Sequence, residues 1–137
     1  MAALTKQRMM RIKRASSMDL PVAASKKIYK GAFLVFVGGY IAPASVAANL
    51  KPIGRAAEDV DNSSGAAGAA TVCVEFLREK TFFPFIASSA FAQTDMGGNA
   101  YLDDDQSVTP TATGRSAAGT PYKYETNGSV QTVWVEV

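Results

Sequence analysis

Residues 122–137 read YKYETNGSVQTVWVEV, and this stretch decides the fold class. Asn127-Gly128 is the dipeptide preferred in two-residue type I′ turns, and residues of high strand propensity alternate with polar ones on both sides of it. The pattern therefore predicts a β-hairpin. The predicted register sets Thr126 opposite Ser129, Tyr124 opposite Gln131 and Tyr122 opposite Val133.

The two faces of this hairpin differ in polarity, because successive side chains of a strand point to opposite sides. The face predicted to be buried carries Tyr122, Tyr124, Val133, Val135 and Val137. The other face carries Lys123, Glu125, Thr132, Trp134 and Glu136. Trp134 is the single tryptophan of the chain. On a polar face it acts either as a lid over Pro121 or as a contact with another subunit.

Further short apolar stretches, separated by turn residues, precede the hairpin. Phe33–Val37 is a continuous apolar run that predicts a strand buried on both faces, and Tyr40–Pro43 follows a Gly-Gly turn as the return strand. Residues 71–77 alternate clearly. Pro84, within the apolar residues 82–86, indicates an edge or a bulge. The chain is therefore predicted to be all-β, either a small β-sandwich or a β-barrel.

Charge divides the chain into two unlike parts. Residues 1–30 hold 8 basic residues and 1 acidic residue, a net charge of +7, whereas residues 31–137 hold 6 basic and 11 acidic residues, a net charge of −5. The basic residues before residue 20 share no single helical face, which is typical of an extended segment that orders on binding. We therefore predict an extended basic arm at residues 1–25 and a β-rich body at residues 26–137.

The arm is predicted to bind a partner through seven basic side chains: Lys6, Arg8, Arg11, Lys13, Arg14, Lys26 and Lys27. The arm has three interpretations: a segment that binds an acidic protein surface, a solvated tail, and a segment that binds nucleic acid. Scattered lysines and arginines supply phosphate contacts. However, no aromatic residue is interleaved with them before Tyr29, so a base-stacking platform is missing and nucleic acid is the least favoured partner.

The composition argues against enzyme chemistry and against bound metal. The chain has no histidine, which removes the commonest general base and metal ligand, and its one cysteine, Cys73, allows neither an internal disulfide nor a cysteine-based zinc site. Asp103-Asp104-Asp105 lacks the glycine and glutamate spacing of an EF-hand loop and is read as a solvated turn. We expect no catalytic residues, no metal and no cofactor.

Residues 26–48 have the order of features found in a targeting signal. Lysines at 26, 27 and 30 precede an apolar run and a stretch of small residues, the order found in secretory signals. Gly38-Gly39 and Pro43 interrupt the run, which is also shorter than the ~20 apolar residues of a membrane helix. We expect no export signal and no membrane contact.

Short phrases of the body occur in an order that resembles the capsid decoration (cement) proteins of tailed bacteriophages. The phrases are YKGA (29–32), GYIAP (39–43), IGRA (53–56), VDN (60–62), GAAG (65–68), TDMG (94–97), AYLDD (100–104), QSV (106–108) and VWVEV (133–137). The resemblance covers residues 26–137. Each phrase is common, and it is their order and spacing that carry the likeness.

This resemblance implies a tulip-like β body and a structural, non-enzymatic role on the virion. Such proteins attach to the outside of an expanded capsid, often as homotrimers, and brace the shell. Their terminal arm reaches onto the major capsid protein and can add a strand to its sheets. The basic arm of this chain departs from the shorter, uncharged starts expected of the family, and that leaves its mode of docking open.

Overall fold

The computed structural model describes residues 16–76 and 81–137. Their regular structure is almost entirely β, apart from one turn of 3-10 helix at Gln93–Asp95. In this part of the chain, no helix is long and apolar enough to span a membrane. The strands are β1 (Ser17–Pro21), β2 (Lys26–Ile28), β3 (Phe33–Val37), β4 (Tyr40–Pro43), β5 (Lys51–Ala56), β6 (Val60–Asn62), β7 (Thr71–Phe76), β8 (Phe82–Ala87), β9 (Ala100–Leu102), β10 (Ser107–Thr109), β11 (Ala117–Asn127) and β12 (Val130–Glu136).

Five strands from the C-terminal half close into a barrel in the order β10-β8-β12-β11-β9. All pairs are antiparallel except β8 with β10, which run parallel. β10 pairs with β8 only from Ile86 onward, so at Pro84 only β12 is paired with β8. Proline has no backbone N–H to donate, and it therefore suits a strand position that lacks a partner on one side. The prediction of an all-β fold is confirmed, with a barrel as its main element.

The other strands form an open sheet and a small ribbon. The sheet has the order β1-β7-β5-β3-β4, and β2 pairs with β6 in the ribbon. An isolated parallel bridge between Val22, which follows β1, and Ile41 of β4 links the two edges of the open sheet. The hairpin of β3 and β4 turns at Gly38-Gly39, both with positive φ, as the Gly-Gly dipeptide predicts.

Strand β3 lies between two hydrophobic cores. Phe33 and Val35 pack with the barrel residues, whereas Leu34 packs with the side chains enclosed by the open sheet. All three are fully buried. The prediction of a strand buried on both faces is therefore confirmed for the first part of β3, and Val37 at its end is exposed.

The C-terminal hairpin is confirmed, but its register is not the predicted one. Asn127 pairs with Val130 and Tyr124 with Val133, so the turn residues are Gly128-Ser129. Of these only Gly128 has a positive φ, at 64°, which is the conformation of a type II′ turn and not of type I′. From Lys123 to the turn, and along β12, side chains keep their predicted faces, because the pairing differs there by an even number of residues.

A bulge overturns two predictions for this hairpin. The register shifts between Pro121 and Lys123, so Tyr122 lies outside the regular ladder and is 49% exposed, although its position in the alternation predicted a buried side chain. Pro121 pairs with Val135 and is itself buried. Trp134 lies opposite Lys123 and Pro84, so its interpretation as a lid over Pro121 is wrong.

Residues 17–22 belong to the folded body and not to an arm. All five residues of β1 pair with β7, and Val22 is fully buried in the core of the open sheet. The backbone carbonyl of Ser16 also accepts a hydrogen bond from the N–H of Phe76. The predicted boundary at residue 25 is therefore too late, and what remains of the predicted arm, residues 1–15, lies outside the described residues.

Candidate interaction surface

The outer side of β8 carries three apolar side chains. Strand alternation places Phe83 and Phe85 inside the barrel, where they are buried, and places Phe82, Pro84 and Ile86 outside. Phe82 is 38% exposed and Ile86 is 41% exposed. Because these apolar side chains are contiguous on the outside of the barrel, they form the candidate contact surface.

The apolar row continues across β12 and β11. Trp134 pairs with Pro84 on one side and with Lys123 on the other, and Tyr122 projects from the bulge in β11. We call the five side chains Phe82, Pro84, Ile86, Tyr122 and Trp134 the aromatic face. A shallow groove of about 500 Å³ lies over it and is lined by Phe82, Tyr122, Lys123, Glu125 and Trp134.

Two contacts hold Tyr122 in position on this face. Its ring meets the ring of Phe82 edge to face, with centroids 5.0 Å apart and planes at 84°. Its hydroxyl group donates a hydrogen bond of 3.1 Å to Oε1 of Glu136. Aromatic side chains held in this way present large contact area at little further cost in conformational entropy, which is why tyrosine and tryptophan are enriched in interfaces.

The rim of the aromatic face carries charged side chains of both signs, among them Lys123 and Glu125. Nζ of Lys123 lies 3.0 Å from Oε1 of Glu125, and both side chains are largely exposed. The two residues lie two positions apart on β11 and point outward together. An exposed pair of this kind adds little to stability, about 0–1 kcal/mol, so its charges remain available to a partner.

The basic residues predicted from sequence divide into two sets. Lys6, Arg8, Arg11, Lys13 and Arg14 lie outside the described residues. Lys26 and Lys27 are exposed on β2, which pairs with β6 and not with the strands that carry the aromatic face. The ammonium group of Lys27 lies 5.3 Å from the ring centroid of Tyr29, and β2 pairs Lys27 with Asp61. Hydrogen bonds from Ser63, together with nearby Lys27, lower the pKa of Asp61.

The three consecutive aspartates make structural contacts. Asp103 forms a salt bridge of 3.0 Å with Arg115, and the carboxylate of Asp104 accepts a hydrogen bond from the backbone N–H of Gln106. The backbone carbonyl of Asp105 accepts from the N–H of Phe33 at the start of β3. Among residues 16–76 and 81–137 no group of three or more acidic or cysteine side chains is arranged to hold a metal ion.

The sequence predicts for Trp134 either a lid over Pro121 or a contact with another subunit, and it does not predict the rest of the aromatic face. In residues 82–86 both alternating sets are apolar, so hydrophobicity alone does not say which set faces out. The alternation places Tyr122 in the core, because the bulge is not visible in the pattern. Pro84 was the one available signal, since proline marks a strand position that lacks a partner on one side.

No protein-family model, curated protein or solved structure matches this chain. The resemblance to phage decoration proteins therefore stays a prediction from the order of the sequence phrases.

Proposed function

We propose that this protein is a capsid decoration protein, which binds the outer surface of a phage head and stabilises the shell without catalysing a reaction. The proposal rests on two features that one all-β body combines, and both suit contact with a partner. A basic segment enters the body at Ser16, and an aromatic face lies on the barrel. The order of phrases in residues 26–137 supports the same role.

The basic segment is the proposed anchor to the major capsid protein. Residues 1–15 hold five basic residues and no acidic one, and they are joined directly to β1 at the end of β7. Fully extended, fifteen residues would span at most roughly 50 Å, so the proposed anchoring site lies within that distance of Ser16. The proposed landing site is acidic, and the attachment weakens as salt screens the charges.

When several copies attach together, weak individual contacts are enough to hold them on the shell. Ordering a basic segment on a surface costs conformational entropy, which reduces the affinity of each separate arm. A homotrimer binds three arms to one shell, so the second and third contacts become intramolecular and the combined affinity rises steeply. The proposed location is the outer surface of the virion, with the major capsid protein as partner.

The test compares the full chain with a variant that lacks residues 1–15, both mixed with expanded shells assembled from the major capsid protein of the same phage. We expect removal of the segment to weaken co-sedimentation with shells by at least about tenfold, because the multivalent contacts are lost together. Circular dichroism should show an intact β body, since β1 begins at Ser17.

Two variants with the chain length retained serve as controls. Changing Lys6, Arg8, Arg11, Lys13 and Arg14 to glutamine should reproduce the loss. Changing Lys26 and Lys27 to glutamine tests the part of the predicted arm that lies on β2. Full binding to shells by the chain without residues 1–15 would contradict the proposed role of these residues as the anchor. Steep salt-dependent binding to duplex DNA, without binding to shells, would favour a nucleic-acid-binding module instead.

A further inference from the structure

We propose that the aromatic face binds the same face of a second copy of this chain, so that copies join two by two through the outside of the barrel. On a shell this contact would link neighbouring trimers, so the inference rests on the proposed function for its setting. The contact itself is a property of the isolated protein, and it is tested without capsids.

The aromatic face has several partly exposed apolar side chains. Phe82, Ile86 and Tyr122 are each between 38% and 49% exposed, and Trp134 lies half-buried among them. Apolar area removed from water contributes about 25 cal/mol per Å², which favours a partner that covers these side chains together. A tryptophan and a tyrosine near the centre of such a patch are typical anchors of a protein interface.

The charged side chains on the rim favour a second copy of the chain as the partner. Lys123 and Glu125 lie side by side on the rim, so a wholly acidic partner meets the unfavourable charge of Glu125 and a wholly basic partner meets that of Lys123. Two identical faces avoid this conflict. If a two-fold axis lies in the interface and crosses β11 between the two residues, each Lys123 faces Glu125 of the other copy, as in an isologous contact.

The shape of the face is compatible with such pairing. Tyr122 is held by its edge-to-face contact with Phe82 and by its hydrogen bond to Glu136, so the face needs little reordering before it binds. The groove over the face is shallow and open, which suits another convex barrel better than an inserted peptide. Preorganised contacts of this kind lose less entropy on binding.

The decisive experiment reverses charges in separate molecules. Lys123→Glu makes positions 123 and 125 both acidic and Glu125→Lys makes them both basic, so neither variant retains the pair within its own chain. In sedimentation equilibrium from micromolar to near-millimolar concentration, each variant alone should self-associate at least about tenfold more weakly than the full chain. An equimolar mixture of the two should associate again, because acidic rims then face basic rims.

Apolar substitutions test the centre of the face. Trp134→Thr and Ile86→Thr keep strand-forming residues and should abolish association. The matched control is Val46→Thr, a 54% exposed position in the loop after β4, which should leave association unchanged. Circular dichroism distinguishes lost association from lost folding, and loss of folding in Trp134→Thr leaves the two charge variants as the test.

Trp134 also reports which molecule covers the face. Its fluorescence should become better protected from acrylamide as the concentration of the full chain rises, and deletion of residues 1–15 should not change that protection. A chain that stays monomeric throughout the range would overturn the proposal. Protection that is independent of concentration and disappears when residues 1–15 are removed would also overturn it, because the basic segment would then be the occupant.

Discussion

The three aspartates at positions 103–105 differ in how they affect the stability of the folded state. Asp103 is bound to Arg115, and Asp104 caps the N–H of Gln106. Asp105 is partly buried, and burial together with the charge of Asp104 raises the pKa of its carboxyl group. A carboxyl group whose pKa is raised in the folded state opposes folding once it is ionised, because its charge is better solvated in the unfolded chain.

The variant Asp105→Asn should therefore be more stable than the full chain at neutral pH. The gain should shrink as pH falls and disappear below the ordinary value of 3.8, where the carboxyl group is protonated in both states. Melting temperatures from pH 3 to pH 7 measure this difference. Asp61→Asn is the control of opposite sign, because the pKa of Asp61 is lowered and its charge favours the folded state.

At the scale of elements, the end of the C-terminal hairpin depends on Gly128 and not on the Asn-Gly pair. Asn127 is the last ladder residue of β11, paired with Val130, while Gly128 supplies the positive φ of the turn. The preference of Asn-Gly for a type I′ turn is local. The observed pairing also sets Tyr124 opposite Val133, so that the tyrosine packs against the fully buried valine and the barrel core. Cross-strand packing of this kind overrides a turn preference of comparable size.

Substitutions at these two positions should accordingly have unequal effects. Gly128→Ala forces a Cβ into the left-handed region and should cost about 1 kcal/mol of unfolding free energy. Asn127→Ala should cost markedly less, because Asn127 has extended backbone in the structure. Urea denaturation of both variants provides the measurement, and equal losses would indicate that the turn is of type I′ after all.

At the scale of the whole molecule, β3 joins the open sheet to the barrel. The ring of Phe33 meets those of Phe83 and Phe85 edge to face at 5.2 and 5.0 Å, although Phe33 is hydrogen-bonded into the other sheet. Leu34, its neighbour, fills the second core. Since one strand supplies both cores, the two parts of the body are expected to unfold together.

Phe33→Ala should destabilise the protein by about 3–5 kcal/mol and keep a single unfolding transition. Trp134 fluorescence reports on the barrel, and far-ultraviolet circular dichroism reports on all strands. Because the barrel and the open sheet are expected to unfold together, the transitions measured by the two signals should coincide. Leu34→Ala is the matched variant on the opposite face of β3 and should lower both transitions equally. If fluorescence and dichroism gave separate midpoints, the barrel and the open sheet would be independent folding units.

The sequence by itself determined the all-β class, the two hairpins, the doubly buried β3 and the separation of charge, because these depend on local turn chemistry and on the alternation of side chains. Only the tertiary structure decided that β1 belongs to the body, that Tyr122 turns outward at a bulge, and that Phe82, Pro84 and Ile86 lie outside the barrel. Alternation shows that a strand has two faces, but when both faces are apolar the partner strands decide which one is buried.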